Sequence, residues 1–199
     1  MSVHHPAPLR AVTPLVLEAL DRHDEAGPLV VGIDGRSGAG KTALALDLVA
    51  RLHAEPGLSG DAVAVLALED AYRGWTGLAV GLGAVASGVL EPLSHGEPGR
   101  VRRYDWHADR LGALVQVPPA GTPLPRLLVV EGCGAGSAIC APFVHVLIWL
   151  EAPEPVRRER ALARDGGTWP HLWEVWAAQE RALLEARDAR GAADVVVET

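Results

Sequence analysis

The chain has 199 residues, of which 49% are hydrophobic and 22% charged, a balance typical of a soluble globular protein with one packed core. Its formal net charge of −7 argues against a general nucleic-acid binder or a protein held on an anionic membrane. No stretch approaches the ~20 apolar residues of a membrane span, and the first residues lack the apolar core of a signal peptide, so we expect a cytoplasmic protein.

The first quarter of the chain predicts a helix, a buried strand and a second helix. Residues 1–8 show no apolar period and are predicted to form a loose tail. Thr13 and Pro14 are typical of a helix start, with the threonine as N-cap. Residues 29–34 are apolar and rich in β-branched side chains, which indicates a strand buried on both faces, and residues 42–53 have the apolar spacing of a helix.

Strands and helices continue to alternate along the rest of the chain. Further strands are predicted at residues 62–68, 127–131, 144–150 and 193–197, and further helices at 78–90, 154–165 and 171–189. Residues 91–125 carry many prolines and glycines, and we predict an irregular excursion on the substrate side. Buried strands that alternate with helices imply a parallel five-stranded sheet with helices on both faces, in one α/β domain spanning residues 1–199.

A glycine-rich turn joins the first strand to the second helix. Residues 35–42 read Gly-Arg-Ser-Gly-Ala-Gly-Lys-Thr, a full match to the phosphate-loop pattern G-x-x-x-x-G-K-S/T. In such a loop, backbone N–H groups and the helix N-terminus bind phosphate, the lysine bridges the β- and γ-phosphates, and the threonine holds Mg²⁺. The predicted nucleotide-binding residues are Gly35, Arg36, Ser37, Gly38, Ala39, Gly40, Lys41 and Thr42.

The alternative is a glycine turn that precedes a helix by chance. The composition argues against it, because seventeen of the eighteen basic residues are arginine and Lys41 is the only lysine. A chain that uses arginine wherever a generic positive charge suffices has its one lysine where the loop needs it. The sequence thus predicts ATP binding and a three-layer P-loop NTPase fold.

Absent motifs narrow the class of P-loop protein. The guanine-reading N-K-x-D motif of GTPases needs a second lysine, and the transporter signature L-S-G-G-Q is missing. The third strand ends in Glu131-Gly132, where motor ATPases have Asp followed by Glu. Small-molecule kinases remain, with a metabolite as phosphate acceptor.

Three carboxylates follow predicted strands at the edge where a doubly wound sheet binds its ligand. Glu69 and Asp70 follow the second strand, and Glu131 ends the third. Phosphoryl transfer needs one carboxylate to accept the proton of the acceptor hydroxyl and others to hold Mg²⁺. Glu69 and Asp70 are therefore candidate catalytic residues, and Glu131 is a candidate metal ligand together with Thr42. The alternative for each acid is a solvated turn after a strand.

The helix after the fourth strand carries a basic face. Arg157, Arg160 and Arg164 are spaced i, i+3 and i+7, and two glycines follow as a hinge. We interpret residues 154–167 as a short lid, in which Arg157 contacts the nucleotide and the other two arginines neutralise the transferring phosphoryl group. The alternative is a solvated helix surface.

Five segments together resemble the uridine kinase branch of P-loop kinases, which includes phosphoribulokinase and pantothenate kinase. They are Gly35–Thr42, Glu69–Tyr72, Tyr104-Asp105-Trp106, Val130-Glu131-Gly132 and Arg157-x-x-Arg160-x-x-x-Arg164-Asp165. The resemblance implies that the acid opening the Glu69–Tyr72 turn is the catalytic base and that Tyr104 and Asp105 lie at the acceptor site. It also implies that the three arginines belong to the lid.

The predicted acceptor region includes Tyr72, Arg103 beside Tyr104, and Trp106, whose ring can stack on a planar substrate or pack into the core. Where uridine kinases have a histidine three residues past the aromatic, this chain has Asp109, and their D-H-P segment is absent. The identity of the acceptor is therefore left open.

The sequence as a whole predicts an ATP-dependent phosphotransferase that uses Mg²⁺ and acts on a small metabolite. The alternative is a nucleotide-binding regulatory or partner protein without phosphoryl transfer, because the acceptor motifs have changed. No nucleic-acid or membrane partner is expected, and self-association is left open.

Overall fold

The computed structural model describes residues 6–164 and 170–199 of the chain. Its strands are β1 (Leu29–Asp34), β2 (Val63–Ala67), β3 (Gly99–Asp105), β4 (Arg110–Val117), β5 (Leu127–Glu131), β6 (Val146–Glu151) and β7 (Val195–Glu198). Its α-helices are α1 (Pro6–Arg22), α2 (Lys41–Leu52), α3 (Leu78–Val85), α4 (Glu91–Ser94), α5 (Glu154–Arg164) and α6 (Trp173–Ala186). No helix in these two ranges is both long enough and apolar enough to cross a bilayer.

Five of the strands form one parallel sheet in the order β2-β5-β1-β6-β7. β1 and β5 are buried along their whole length, as expected of parallel strands with helices on both sides. They are neighbours, with Ile33 of β1 opposite Glu131 of β5. The segments that follow these two strands therefore meet at one edge of the sheet.

Helices cover both faces of this sheet and complete a three-layer α/β fold. On one face, Val16 of α1 and Leu48 of α2 share a hydrophobic core with Val129 of β5. On the other face, Leu82 of α3 and Trp176 of α6 share a second core with Leu128 of the same strand. Successive residues of β5 thus serve opposite cores, as the pleat of a strand requires. The predicted fold class is confirmed.

All five predicted strands of the sheet are present, each within two residues of its predicted bounds. The helix predicted at residues 78–90 consists of α3 and a π-helical turn over residues 86–90, and it runs on into α4. The other predicted helices are α2, α5 and α6, again with small shifts at their ends.

The predicted start of α1 is wrong. The helix begins at Pro6 rather than at Thr13, and Pro14 lies inside it, so the described part of the predicted tail is helical. An interior proline removes a backbone N–H donor and destabilises a helix. Val12 and Val16, on either side of it, are fully buried, and this packing outweighs the local break. Residues 1–5 lie outside the described ranges.

Residues 91–125 are more regular than predicted. After α4 they contain an antiparallel hairpin of β3 and β4. At its tip, the Asp105 carboxylate accepts hydrogen bonds from the backbone N–H groups of His107 at 3.1 Å and Ala108 at 2.9 Å. An aspartate that accepts hydrogen bonds from backbone N–H groups two and three residues ahead is a common feature of turns. The hairpin was not predicted because the many prolines and glycines of the region suggested irregular structure.

Leu128 on β5 and Leu46 on α2 provide a matched test of this packing, because Leu128 is fully buried and Leu46 is 63% exposed. We expect Leu128→Ala to lower the free energy of unfolding by about 2–5 kcal/mol, since it removes buried methyl groups and leaves a cavity. Leu46→Ala should change it by less than about 0.5 kcal/mol. Denaturant unfolding of both variants measures the difference, and equal losses would contradict the described core.

Candidate active site

The phosphate loop has a backbone that favours glycine. Gly35, Gly38 and Gly40 have φ angles of 145°, 81° and 95°. Residues with a side chain rarely adopt such positive angles. A Cβ atom on Gly38 would lie 2.1 Å from the carbonyl oxygen of Arg157, so the loop also needs glycine for its close contact with α5. α2 begins at Lys41, directly after the loop, and the free N–H groups of its first turn add to the anion-binding character of this segment.

Lys41 is buried, and its ammonium group bonds the loop itself. Nζ donates to the carbonyl oxygens of Gly35 at 2.8 Å and Arg36 at 3.1 Å, and to Cys133 Sγ at 3.4 Å. Burial alone would lower the pKa of Lys41, but two buried carboxylates beside it, Glu180 and Asp34, raise it above the ordinary value. The loop therefore holds a fixed positive charge at neutral pH.

Thr42 and Glu131, the predicted metal ligands, lie together where α2 begins and β5 ends. Thr42 Oγ1 donates to the carboxylate of Glu131, at 3.2 Å from Oε1 and 3.3 Å from Oε2. Burial raises the pKa of Glu131, and Lys41 and the Thr42 hydroxyl offset part of that rise. Hydroxyl and carboxylate oxygens are ligands that suit Mg²⁺.

A buried carboxylate at the end of β1 ties the loop to the turn after β5. Asp34 accepts hydrogen bonds from three backbone N–H groups, those of Gly35 at 2.7 Å, Gly134 at 2.8 Å and Gly136 at 2.7 Å. Burial raises the pKa of Asp34, and these hydrogen bonds oppose that rise. Asp34 has no role in the sequence-based predictions, although a carboxylate that ends an apolar strand is a signal that points to it.

A second carboxylate without a predicted role reaches the loop from α6. Glu180 is buried, and its Oε1 accepts hydrogen bonds from the Ser37 N–H at 2.6 Å, the Trp176 indole at 3.0 Å and the Cys133 thiol at 3.2 Å. Burial raises the pKa of Cys133 far above its usual value, so the thiol stays neutral and unreactive. Nothing in the local sequence of α6 predicts these contacts, because they depend on where the helix packs.

The loop opens into a cavity of about 420 Å³ with one aromatic side. We call this side the aromatic wall; its residues are Tyr72, Trp75, Trp106 and Trp176, and Trp173 also lines the cavity. Ring centroids are 5.5 Å apart for Trp75 and Trp106 and 5.2 Å apart for Tyr72 and Trp176, so the rings contact one another. Trp173 and Trp176 were missed as cavity residues because their i, i+3 spacing suits core packing equally well.

The two acids of the predicted base turn have different partners. Glu69 lines the cavity, and its Oε2 lies 3.8 Å from Arg164 Nη1. Asp70 pairs with Arg103 at 3.1 Å, and neither residue lines the cavity. Of the two acids, Glu69 is therefore the one that faces the cavity.

The hairpin brings only part of the predicted acceptor region to the cavity. Trp106 lines it, and its indole donates to the carbonyl oxygen of Glu69 at 3.2 Å. Tyr104 and Asp105 lie outside the lining, where the Tyr104 hydroxyl donates to Asp109 at 2.5 Å and Asp105 holds the turn at the tip. Their contacts stabilise the hairpin that carries Trp106.

The three arginines of α5 have different surroundings. Arg157 is buried, and its Nη1 donates to the carbonyl oxygen of Ser37 at 3.2 Å while its Nε donates to a second backbone carbonyl at 3.0 Å. It thus supports the loop from outside the cavity. Arg160 and Arg164 are exposed and line the cavity. Residues 165–167 of the predicted lid lie outside the described residues.

No protein-family model matches the sequence, and no curated protein matches it either. Among solved structures, a possible uridine kinase from Bacillus stearothermophilus superposes with a TM-score of 0.63 at 22% identity, over 95% of this chain and 98% of that one. A second structure, from Silicibacter sp. TM1040, carries the provisional name of a fructose transport system kinase. It gives a TM-score of 0.60 at 22% identity, over 95% of this chain and 98% of that one. The chain has the P-loop kinase fold. The fold that the resemblance implied is thereby confirmed.

Gly38 and Gly83 test whether the loop backbone matters. If the loop binds Mg·ATP as the sequence predicts, Gly38→Ala should weaken that binding about tenfold or more and lower the Tm, because a side chain there is strained and meets the backbone of α5. Gly83→Ala on α3 is the control, because a Cβ there would have no neighbour within 4 Å among the described residues outside the backbone of its own helix. That variant should gain about 0.5–1 kcal/mol of stability and bind normally. Calorimetric titration and thermal melts compare them, and wild-type binding by Gly38→Ala would refute the described loop.

Proposed function

We propose that this chain is an ATP-dependent kinase that phosphorylates a hydroxyl group of a small metabolite. The observation that carries the proposal is that the phosphate loop and the Glu69 carboxylate line one cavity. A kinase needs both, because the loop holds the transferable phosphate and a carboxylate accepts the proton that the hydroxyl loses. The kinase names of the two structural neighbours support the same class.

ATP and Mg²⁺ suit the residues around the loop. The loop N–H groups and Lys41 would bind the phosphates, and Thr42 and Glu131 offer the oxygen donors that hold a magnesium ion. When bound, Mg·ATP supplies the phosphoryl group, and the ion neutralises part of its charge. Lys41, held inside the loop by two carbonyl oxygens, is available to turn toward that charge.

Glu69 is the proposed catalytic base. Its carboxylate lines the cavity beside Arg164, whereas Asp70 is paired with Arg103 outside the lining. A base must come within hydrogen-bond reach of the hydroxyl that it deprotonates. Glu69 would meet that condition for an acceptor bound in this cavity, with the Arg164 guanidinium 3.8 Å from its carboxylate.

The proposed acceptor carries a planar ring near its hydroxyl group. Indole and phenol rings of the aromatic wall offer apolar faces and edges on which a planar group packs well. His107, which had no predicted role, lines the same cavity next to Trp106. In this arrangement Tyr104 and Asp105 act indirectly, by holding the hairpin tip that carries both residues.

Arg160 and Arg164 are proposed to close over the transferring phosphoryl group. Both line the cavity from α5, and Arg160 Nη1 lies 3.3 Å from Thr199 Oγ1 at the far end of the chain. Phosphoryl transfer needs several fixed positive groups. Lys41 is the only lysine, so arginine must supply the others, and its planar fork fits phosphate oxygens.

Nucleotide binding is the first property to measure. Mg·ATP should stabilise the wild-type protein by about 2.7 kcal/mol at one hundred times its Kd, because it binds the folded state alone. Lys41→Ala should lose this protection, since it removes the only ammonium group of the loop. Thermal melts with and without Mg·ATP test both expectations, and an unchanged wild-type Tm at saturating nucleotide would refute nucleotide binding.

The catalytic base is tested with Glu69→Gln and Asp70→Asn, the matched control beside it. Screening nucleosides, nucleotides, sugars and vitamins for acceptor-dependent ADP release first identifies a substrate. With that substrate, Glu69→Gln should lower kcat by roughly 10²–10⁴-fold and leave the Kd for Mg·ATP nearly unchanged, because the base acts in the transition state. Asp70→Asn should retain most activity.

Two results would change these assignments. Loss of activity in Asp70→Asn with an active Glu69→Gln would make Asp70 the base. Tight Mg·ATP binding without turnover of any acceptor would favour a nucleotide-binding partner protein over a kinase.

A further inference from the structure

Glu180 is a buried carboxylate that the proposed transfer chemistry does not use. It lies on α6 and is 5% exposed. One of its oxygens, Oε1, accepts hydrogen bonds from the Ser37 N–H, the Trp176 indole and the Cys133 thiol. A buried carboxylate is costly unless donors satisfy it, so these bonds are needed to keep it inside the protein.

Two of the donors belong to different parts of the cavity lining. Ser37 is part of the phosphate loop, and Trp176 is part of the aromatic wall, with its ring 5.2 Å from that of Tyr72 and 6.1 Å from that of Trp75. The cavity is lined by all four of these residues, Ser37, Tyr72, Trp75 and Trp176. Because one oxygen of Glu180 accepts hydrogen bonds from both the loop and the aromatic wall, a displacement of the loop amide would change the hydrogen bond that the indole makes.

The geometry makes this a strong connection. The 2.6 Å distance from Ser37 N to Oε1 is short for an N–H donor. Trp176 and Glu180 are four residues apart on one helix, so both side chains lie on the same face of α6 and move with it. A change at the loop is therefore passed to the wall through one rigid element.

We propose that Glu180 is a positioning residue that couples the phosphate loop to the aromatic wall, so that nucleotide binding reorients Trp176 and prepares the acceptor side of the cavity. The inference rests on the proposed function, because it requires a nucleotide on the loop. Glu180 touches neither reacting group and acts through Ser37 and Trp176. An acceptor would then meet an ordered wall only after the nucleotide has bound.

Tryptophan fluorescence, read at saturating Mg·ATP, reports on this coupling. We expect the wild type to change its emission on nucleotide binding and Trp176→Phe to lose most of that change. Glu180→Gln should keep the change, because the amide oxygen accepts the same hydrogen bonds. Glu180→Leu should lose the change, and its Kd for Mg·ATP, measured by calorimetry, should rise about tenfold because the loop loses an anchor.

Glu185→Leu is the matched control, since it makes the same substitution at an exposed position of the same helix. It should respond to Mg·ATP as the wild type does. A full emission change in Trp176→Phe or in folded Glu180→Leu would overturn the coupling while leaving the proposed kinase function intact. If Glu180→Leu does not fold by circular dichroism, Glu180→Ala takes its place with the same expectations, and a full emission change in that folded variant overturns the coupling. Absence of Mg·ATP binding to the wild type in calorimetry would overturn both proposals.

Discussion

The carboxylate of Asp34 joins the two strand ends on which the site is built. It is buried at the end of β1 and accepts hydrogen bonds from the N–H groups of Gly35, Gly134 and Gly136. Burying a charge costs free energy unless donors satisfy it, and three aligned backbone donors meet that need. Because this carboxylate holds the start of the phosphate loop against the turn after β5, Glu131 at the end of that strand lies beside the first turn of α2.

From this anchor outward the site changes from buried to exposed. Lys41 and Glu180 are buried against the loop, where low polarity strengthens every electrostatic interaction. Glu69 and Arg164, by contrast, have side chains that are 58% and 55% exposed. The phosphate side is thus preorganised, whereas the side on which transfer would take place is open to water.

Much of the fold follows from the sequence, because parallel strands buried on both faces appear as short apolar runs between glycine and proline. The phosphate loop can also be predicted from local sequence, because its glycines, lysine and threonine lie within eight consecutive residues, 35–42. The strand before it and the helix after it have clear sequence patterns of their own. Where local signals conflicted with packing, packing decided. Pro14 is typical of a helix start, yet α1 runs through it because Val12 and Val16 are buried.

The sequence alone thus determined the layered fold, the loop and the candidate acids and arginines. The tertiary structure alone decided that Glu69 faces the cavity while Asp70 pairs elsewhere, and that Arg157 bonds the loop backbone. It also joined Glu180 to a loop 143 residues earlier in the chain. The physical reason is that periodicity and turn chemistry act over a few residues, whereas the partner of a side chain depends on how distant elements pack.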